Sequence, residues 1–325
     1  MGTEYITGYL WVLAEAFAVT LLLGVFAIPL AKKYKARQSI RECGPKSHRV
    51  KSGTPTMGGL FMMAGLLIVV AFNRSSCGFD IKTGLLLFLT LGHSLLGFLD
   101  DFIKAEKKRN LGLTAKQKIL GQLVIAGLFS YFVVDICQFP TAVAIPFTDW
   151  EWELGLLFYP FCVLVIVGAS NAVNLTDGLD GLAAGCSVIA FSAYAIYAYM
   201  HDMSAIGCFS AILVGVCAAF LFYNYHPAKI FMGDTGSLAL GGAIAGISVL
   251  TRTEFLLIFL GLIFVIEALS VIMQVISFKT TGKRIFKMSP IHHHFELCGW
   301  SEVRVVWTFW IVELCAATIT LFAVL

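Results

Sequence analysis

Ten long apolar runs constrain this chain more than any other feature of its sequence. An α-helix needs about 20 apolar residues to cross the hydrocarbon core of a bilayer. The apolar runs fill the chain in solid blocks rather than in alternation, which excludes an outer-membrane β-barrel. We therefore predict an all-α, polytopic integral membrane protein with about ten transmembrane helices. The runs cover residues 8–30, 57–72, 83–99, 119–134, 154–173, 182–200, 203–223, 236–250, 255–278 and 305–325.

The composition agrees with a membrane domain and excludes a soluble one. Hydrophobic residues make up 58% of the chain and charged residues 13%, whereas soluble domains carry about 25% charge. No link between the runs is long enough for a separate soluble domain, so residues 1–325 are predicted to form a single transmembrane domain. The first run lacks a basic leader and a small-residue cleavage site, and we interpret it as a retained span.

The positions of Lys and Arg predict how the helices are oriented. Of the 23 basic residues, 20 lie in alternate links, and the other side holds Arg74, Lys82 and Arg252. Basic loops stay in the cytoplasm, so both termini are predicted on the outer side of the membrane, as ten spans require. The predicted cytoplasmic loops are 31–56, 100–118, 174–181, 224–235 and 279–304.

Polar residues that are unusual for a membrane protein fall in five segments on that predicted cytoplasmic side. A transporter normally places such groups near the middle of the bilayer, so their position favours an active site at the membrane–cytoplasm interface. The segments are Lys51 with residues 52–59, and residues 99–104, 171–181, 224–237 and 289–296.

Two adjacent carboxylates, Asp100 and Asp101, stand at one of these helix ends. Asp100 and Lys104 are four residues apart and share a helix face, so an ion pair that anchors the helix is one interpretation. The functional interpretation rests on the cost of carboxylates at a membrane boundary and on the preference of Mg²⁺ for carboxylate oxygens. His93, seven residues before Asp100, is interpreted as an interior histidine.

Three further aspartates occur in glycine-rich turns that lead into helices. Asp177 and Asp180 follow Asn171 and Asn174, and Asp234 lies between two glycines. Helix capping explains part of this pattern. A helix N-terminus also suits phosphate, and Asp234 is the candidate for holding a metal ion there. We predict that these aspartates converge with Asp100 and Asp101, as a site for Mg²⁺ and a diphosphate requires.

The run His292, His293, His294 lacks the spacing of a zinc site, and hydrogen bonding to phosphate oxygens is the favoured interpretation. Glu267 stands alone in an apolar run, with Gln274 one heptad later. An intramembrane carboxylate is commonly functional, and pairing between helices is the alternative for Glu267.

The five segments together resemble the phospho-N-acetylmuramoyl-pentapeptide transferase family of the polyprenyl-phosphate N-acetylhexosamine-1-phosphate transferase superfamily. The resemblance runs from about Lys51 to Trp300, and the PIHHHFE stretch separates this family from relatives that use UDP-GlcNAc. The motifs are GTPTMGG, FLDDFIK, NLTDGLDGLA, FMGDTGSLALGG and MSPIHHHFELCGW.

The resemblance implies a reaction, a cofactor and partners. UDP-MurNAc-pentapeptide and undecaprenyl phosphate would give lipid I and UMP, with Mg²⁺, in peptidoglycan biosynthesis. The protein would be a multi-pass protein of the bacterial inner membrane with its active site facing the cytoplasm. It would work in the lipid bilayer as a homodimer and bind no nucleic acid polymer.

The resemblance also implies roles for individual residues. Asp234 would bind Mg²⁺, and Asp100 and Asp101 would be the essential acidic pair, with Asp100 either a base or a group that positions the acceptor or the metal. Lys104 and His293 would complete the catalytic set. The substrate-binding set would be Lys51, Thr56, Asn171, Asn174, Asp177, Asp180, Asn224, Phe231, Gln274, His292 and His294.

Three alternatives remain at the level of sequence: a sister transferase that uses another UDP-N-acetylhexosamine, a lipid or solute transporter, and a membrane scaffold. The histidine segment argues against the first alternative, the one-sided polar segments against the second, and the carboxylates at one boundary against the third. Whether transfer is direct or passes through a phospho-enzyme is left open.

Overall fold

The structure is a computed structural model that describes residues 2–33, 53–107 and 112–324, with side chains from residue 6 onward. The described chain is almost entirely helical, which confirms the all-α prediction. The helices are α1 Gly2–Lys33, α2 Gly59–Phe72, α3 Ile81–Glu106, α4 Ala115–Tyr131, α5 Phe158–Thr176, α6 Leu182–Met200, α7 Ser204–Asn224, α8 Gly233–Leu250, α9 Leu257–Leu260, α10 Leu262–Thr281, α11 Ile291–Leu297 and α12 Glu302–Val324.

Nine of the described helices are long and apolar enough to cross a membrane, and the protein is a polytopic helical membrane protein. Each of the ten apolar runs coincides with one helix or, for residues 255–278, with two. The run 57–72 forms the 14-residue helix α2, about 21 Å long at 1.5 Å per residue. It is therefore shorter than the bilayer core, although it packs inside the bundle.

The run at 255–278 is not continuous, because the helix breaks at Gly261 between α9 and α10. The break leaves backbone N–H groups at the start of α10 without helical partners. The buried carboxylate of Glu313 on α12 accepts a hydrogen bond from the backbone N–H of Ile263 at 2.8 Å. The intramembrane carboxylate thus stabilises the start of α10.

A short β-hairpin, which the apolar runs did not predict, lies between α4 and α5. Strands β1 (Ala142–Ala144) and β2 (Glu151–Glu153) are antiparallel, with Val143 opposite Trp152. Arg252, just after α8, binds this hairpin through Glu151 at 2.6 Å and the carbonyl of Ala142 at 3.3 Å. Because α4 and α8 both end here, the hairpin marks one end of the bundle.

Helix α8 is the centre of the bundle and is buried along nearly its whole length. Its many small residues allow close backbone approach, as is common between transmembrane helices. A Cβ atom at Gly97 of α3 would lie 2.1 Å from the carbonyl oxygen of Asp234, and one at Gly59 of α2 would lie 2.2 Å from the backbone nitrogen of Gly236. Because residue 97 has no side chain, the C-terminal half of α3 can pack directly against the N-terminal end of α8.

Candidate active site

Three of the five predicted aspartates converge where α3 ends and α8 begins. Asp100 and Asp101 lie on the last turns of α3, and Asp234 lies in the first turn of α8. One carboxylate oxygen of each lies within 4.8 Å of those of the other two. Gly233, at φ +74°, precedes Asp234, and a Cβ atom there would lie 2.5 Å from Asp101 Oδ2 and 3.0 Å from Thr56 Oγ1.

Two ammonium groups bind the cluster of Asp100, Asp101 and Asp234. Lys104, one turn after Asp100 on α3, donates to Asp234 Oδ2 at 3.0 Å and also contacts Asp100. Lys118, on the first turns of α4, donates to the same Asp234 oxygen at 2.8 Å. The five groups leave one net negative charge when all are ionised. Lys118 is not among the predicted site residues, because it stands among many basic residues of a predicted cytoplasmic loop.

Neutral donors fix the orientation of each carboxylate. Asn174, at the end of α5, donates to Asp234 Oδ1 at 2.8 Å and to Ser237 Oγ at 2.8 Å. The backbone N–H and the hydroxyl of Thr235 both donate to Asp101 Oδ2, at 2.9 and 2.7 Å. The backbone N–H of Leu113 donates to Asp100 Oδ1 at 2.7 Å. Helices α3, α4, α5 and α8 therefore all contribute to one cluster.

The donor set of this cluster fits a divalent cation. Three carboxylates present oxygens within 4.8 Å of one another, and hard cations such as Mg²⁺ prefer oxygen ligands. Asp234 retains 15% of its side-chain exposure, while Asp100 and Asp101 retain 4% each. Asp234 is thus the most accessible of the three carboxylates.

Asp180 belongs to a second cluster, with His226 and Glu302. Its Oδ2 accepts from His226 Nδ1 at 2.9 Å and from the backbone N–H of Ala228 at 3.1 Å. Glu302, at the start of α12, accepts from the backbone N–H of Asp180 at 2.7 Å. The structure thus groups Asp180 with the link between α7 and α8, whereas Asp100, Asp101 and Asp234 meet at the ends of α3 and α8.

Asn224, Thr56 and Phe231 lie around the link between α7 and α8. Asn224 is buried; it accepts from the backbone N–H of Gly181 and donates to the carbonyl of Ile230, both at 2.9 Å. The backbone N–H of Phe231 donates to the carbonyl of Pro55 at 2.8 Å. These contacts join the glycine-rich segment before α2 to the start of α8.

Other predicted site residues are spread around the same end of the bundle. Asn171 donates to Gln122 Oε1 at 2.9 Å and to the carbonyl of Val167 at 2.8 Å. Asp177 is half-buried directly after α5. Lys51, which is predicted to belong to the substrate-binding set, lies outside the described residues.

The histidine segment forms the short helix α11. His292 is fully buried and pairs with Glu267 of α10, as one of the two interpretations of Glu267 expected. His293 Nδ1 donates to Glu296 at 2.8 Å. His294 Nδ1 accepts from the backbone N–H of Lys287 at 3.1 Å.

Gln274 is joined to the link between α10 and α11. Its side-chain oxygen accepts from the backbone N–H groups of Ile285 and Phe286, both at 3.0 Å. Its amide donates to the carbonyl of Phe286 at 2.9 Å. Gln274 thus fixes the course of the chain that leads into the histidine segment.

Comparison with known proteins places these residues in a family. The family model of glycosyl transferase family 4 matches residues 83–252. The model of signature 1 of the phospho-N-acetylmuramoyl-pentapeptide-transferases matches residues 51–61. The first match contains the two aspartates of α3, Lys118 and Asp234. The second contains Lys51 and Thr56.

Close relatives match almost the whole chain, and each carries the name phospho-N-acetylmuramoyl-pentapeptide-transferase. The relative from Geobacillus sp. (strain WCH70) is 54% identical over 94% of this chain and 95% of its own length. The relative from Oceanobacillus iheyensis is 54% identical over 96% of both chains. The relative from Bacillus subtilis (strain 168) is 52% identical over 96% of this chain and 97% of its own length. With this identity over nearly its full length, the chain belongs to the phospho-N-acetylmuramoyl-pentapeptide transferase family.

Proposed function

We propose that this protein transfers phospho-MurNAc-pentapeptide from UDP-MurNAc-pentapeptide to undecaprenyl phosphate, giving lipid I and UMP. The observation that carries the proposal is the convergence of Asp100, Asp101 and Asp234 with Lys104 and Lys118 at one end of a membrane bundle. A soluble anionic nucleotide and the headgroup of a lipid phosphate meet at such an end. The product would serve peptidoglycan biosynthesis.

The end of the bundle that holds the cluster is proposed to face the cytoplasm of a bacterial inner membrane. Basic links stay in the cytoplasm, and the loops that carry most of the Lys and Arg residues connect helices at this end. Residues 1–325 are proposed to act as one domain, and the protein is proposed to be a homodimer. Light scattering of the detergent-solubilised protein tests the oligomeric state.

Mg²⁺ is the proposed cofactor, held by Asp234 with Asp100 and Asp101 beside it. The ion would neutralise charge on the diphosphate of the donor. Lys104 and Lys118 both lie within 3.0 Å of the same Asp234 oxygen, so they are placed to offset negative charge on the transferred and leaving phosphates. Charge stabilisation of this type is commonly the largest contribution to phosphoryl transfer.

The proposed reaction is a displacement at phosphorus. An oxygen of the undecaprenyl phosphate forms a bond to the β-phosphorus of the donor, and the bond from that phosphorus to the oxygen of UMP breaks. A phosphate monoester has its second pKa near 6, so the acceptor is largely dianionic at pH 7 and needs little help from a base. We therefore assign Asp100 the positioning of the acceptor or the metal rather than proton removal.

The donor is proposed to lie against the links around the cluster. Thr56, beside Gly233, and Phe231 are close to the start of α8, and Phe231 is proposed to stack on uracil. Asn174 and Asp177, at the end of α5, with His293 and His294 on α11, are proposed to face the diphosphate and the sugar. Residues assigned to this surface by family resemblance alone are Lys51, Asn171, Asp180, Asn224, Gln274 and His292.

UMP release by the purified protein tests the proposal. UDP-MurNAc-pentapeptide and UDP-GlcNAc are compared in parallel, with undecaprenyl phosphate, Mg²⁺ and an EDTA control. EDTA-sensitive release from the muramoyl donor alone is the expected result. Release from UDP-GlcNAc instead would assign the protein to a sister transferase, and no release from either donor would contradict the proposed function.

A further inference from the structure

A fully buried pair, Glu267 and His292, joins the histidine segment to the body of the protein. Both side chains have zero exposure, and His292 Nδ1 donates to Glu267 Oε1 at 3.0 Å. A carboxylate without water around it is unfavourable unless it is hydrogen-bonded, so the imidazole stabilises Glu267. The contact joins residues that are 25 positions apart.

The other side of the His292 ring packs against the turn after α5. A Cβ atom at Gly178 would lie 2.3 Å from His292 Nε2 and 2.7 Å from its Cε1. Only glycine leaves room for the imidazole at this position. Gly178 directly follows Asp177 and lies four residues after Asn174, which donates to Asp234. The His292 ring therefore lies between α10 and the turn that directly follows the end of α5, where Asn174 contacts the carboxylate cluster.

The same ring also contacts the next histidine. The rings of His292 and His293 are 4.1 Å apart between centroids. His293 is further held by Glu296 at 2.8 Å and keeps 14% of its side-chain exposure. His292, with no exposure, has no open path to a substrate in this structure, whereas His293 does. His292 thus lies between a fixed carboxylate on α10 and the partly exposed His293.

We propose that Glu267 is a positioning residue, which acts through His292 to fix helix α11 and His293 against the Asp177–Gly178 turn. The inference rests on the proposed function and assigns His292 a role in positioning rather than in substrate contact. Loss of Glu267 would free the imidazole and let α11 shift relative to Asn174 and Asp234. A shift of about 1 Å in such a site can lower kcat/KM by up to roughly a hundredfold.

Kinetics of Glu267 variants are the first test. Glu267→Ala is expected to raise the KM for UDP-MurNAc-pentapeptide and lower kcat/KM about tenfold or more, while the KM for undecaprenyl phosphate stays constant. Glu267→Gln keeps an oxygen that accepts from His292 and is expected to recover most of this loss. Unchanged kinetics in Glu267→Ala would contradict the inference. A lower kcat with both KM values unchanged would also contradict it, because a loss of folded protein alone gives that result.

The contact between His292 and Gly178 supplies the second test. Gly178→Ala alone is expected to lower kcat/KM about tenfold, because its methyl group displaces the imidazole. In a His292→Ala background the same substitution has space and is expected to cost nothing further. If the two losses multiply instead, the two residues do not act through one contact and the inference fails. Gly168→Ala, on helix α5 just before this turn and with no atom within 4 Å of the new methyl group, is the control.

The same pair of substitutions can be followed by thermal unfolding, which does not depend on turnover. Gly178→Ala is expected to lower the Tm of the wild-type protein and to leave the Tm of His292→Ala unchanged. Equal losses in both backgrounds would contradict the contact. Absence of UMP release by the wild-type protein would contradict the proposed function, and the Tm comparison would still decide whether His292 packs against Gly178.

Discussion

The two ends of helix α8 hold buried acidic groups in opposite situations. At the N-terminal end, Asp234 is bound by Lys104, Lys118 and Asn174. Beyond the C-terminal end, Glu254 is 4% exposed, and neither carboxylate oxygen has a side-chain partner among the described residues. Burial raises the pKa of Glu254 to about 7.

The difference indicates why the proposed chemistry is assigned to the N-terminal end of α8. A buried carboxylate stays ionised only where cations and hydrogen-bond donors replace water. Three carboxylates and two ammonium groups converge where α3 and α8 meet, which keeps charge available for a metal and for phosphate. A single buried carboxylate with no side-chain partner tends to take up a proton instead.

The largest expected effect is at Asp234. Asp234→Asn removes the carboxylate that Lys104, Lys118 and Asn174 orient, and it is expected to lower kcat by roughly a hundredfold or more, with helix content unchanged by circular dichroism. Asp149→Asn, an exposed position in the hairpin at the other end of the bundle, is the control. Wild-type activity of Asp234→Asn at low Mg²⁺ would show that the metal assignment is wrong.

The second-largest effect on activity is expected at Lys118. Lys118→Ala removes one of the two ammonium groups on Asp234 and is expected to lower kcat/KM about tenfold to a hundredfold. Lys116→Ala, an exposed lysine on the same first turns of α4, should leave the rate unchanged. Equal rates in the two variants would mean that the charge of the loop matters rather than the contact with Asp234.

Gly97 tests whether helix packing sets the distances in the cluster. Gly97→Ala places a methyl group 2.1 Å from the Asp234 carbonyl, so α3 and α8 must separate, at a cost of about 1–3 kcal/mol. A lower Tm together with lower activity is expected. Gly84→Ala, on the same helix with no atom within 4 Å of the added methyl group, controls for helix propensity, and a matching loss in that variant would count against the packing argument.

The smallest effect on turnover is expected at the opposite end, where Glu254 affects stability alone. The pKa of Glu254 is raised above the ordinary value of 4.5, so its contribution to stability is present below about pH 4.5 and is lost as the pH rises through about 7. Glu254→Gln stays neutral throughout. The Glu254→Gln variant should therefore be more stable than the wild type by a larger margin at pH 8 than at pH 5. The margin should grow by on the order of 2–3 kcal/mol in the free energy of unfolding, and Tm measured at the two pH values checks it.

Turnover of Glu254→Gln should be unchanged, since the residue lies a whole helix length from the cluster. A pH-independent difference in Tm would show that Glu254 has a partner when ionised. That result would remove the contrast between the two ends of α8.

The predicted helices agree with the structure because apolar length is a local property of the sequence. The run 236–250 is rich in glycine, and glycine weakens an isolated helix. In the structure its glycines allow α2, α3 and α5 to approach α8 closely, and α8 is the most buried of the nine spans. Propensity alone could not reveal this, because the benefit comes from neighbouring helices.

The candidate site was predicted in part. Asp100, Asp101 and Asp234 stood out because carboxylates are rare at the ends of apolar runs. Lys118 did not, because a lysine in a basic loop has an ordinary explanation until its contact with Asp234 is known. The second cluster, of Asp180, His226 and Glu302, joins residues more than 40 positions apart, and no spacing in the sequence indicates such a contact.

The sequence by itself determined the helical membrane class, the polarity of the links and the residue types of the site, because these follow from hydrophobicity, charge and motif. Only the tertiary structure decided which polar groups meet. It brought three aspartates and two lysines together, set Asp180 apart, and enclosed His292 between Glu267 and Gly178. The physical reason is that such contacts depend on how closely whole helices pack, and this is set by many small residues acting together.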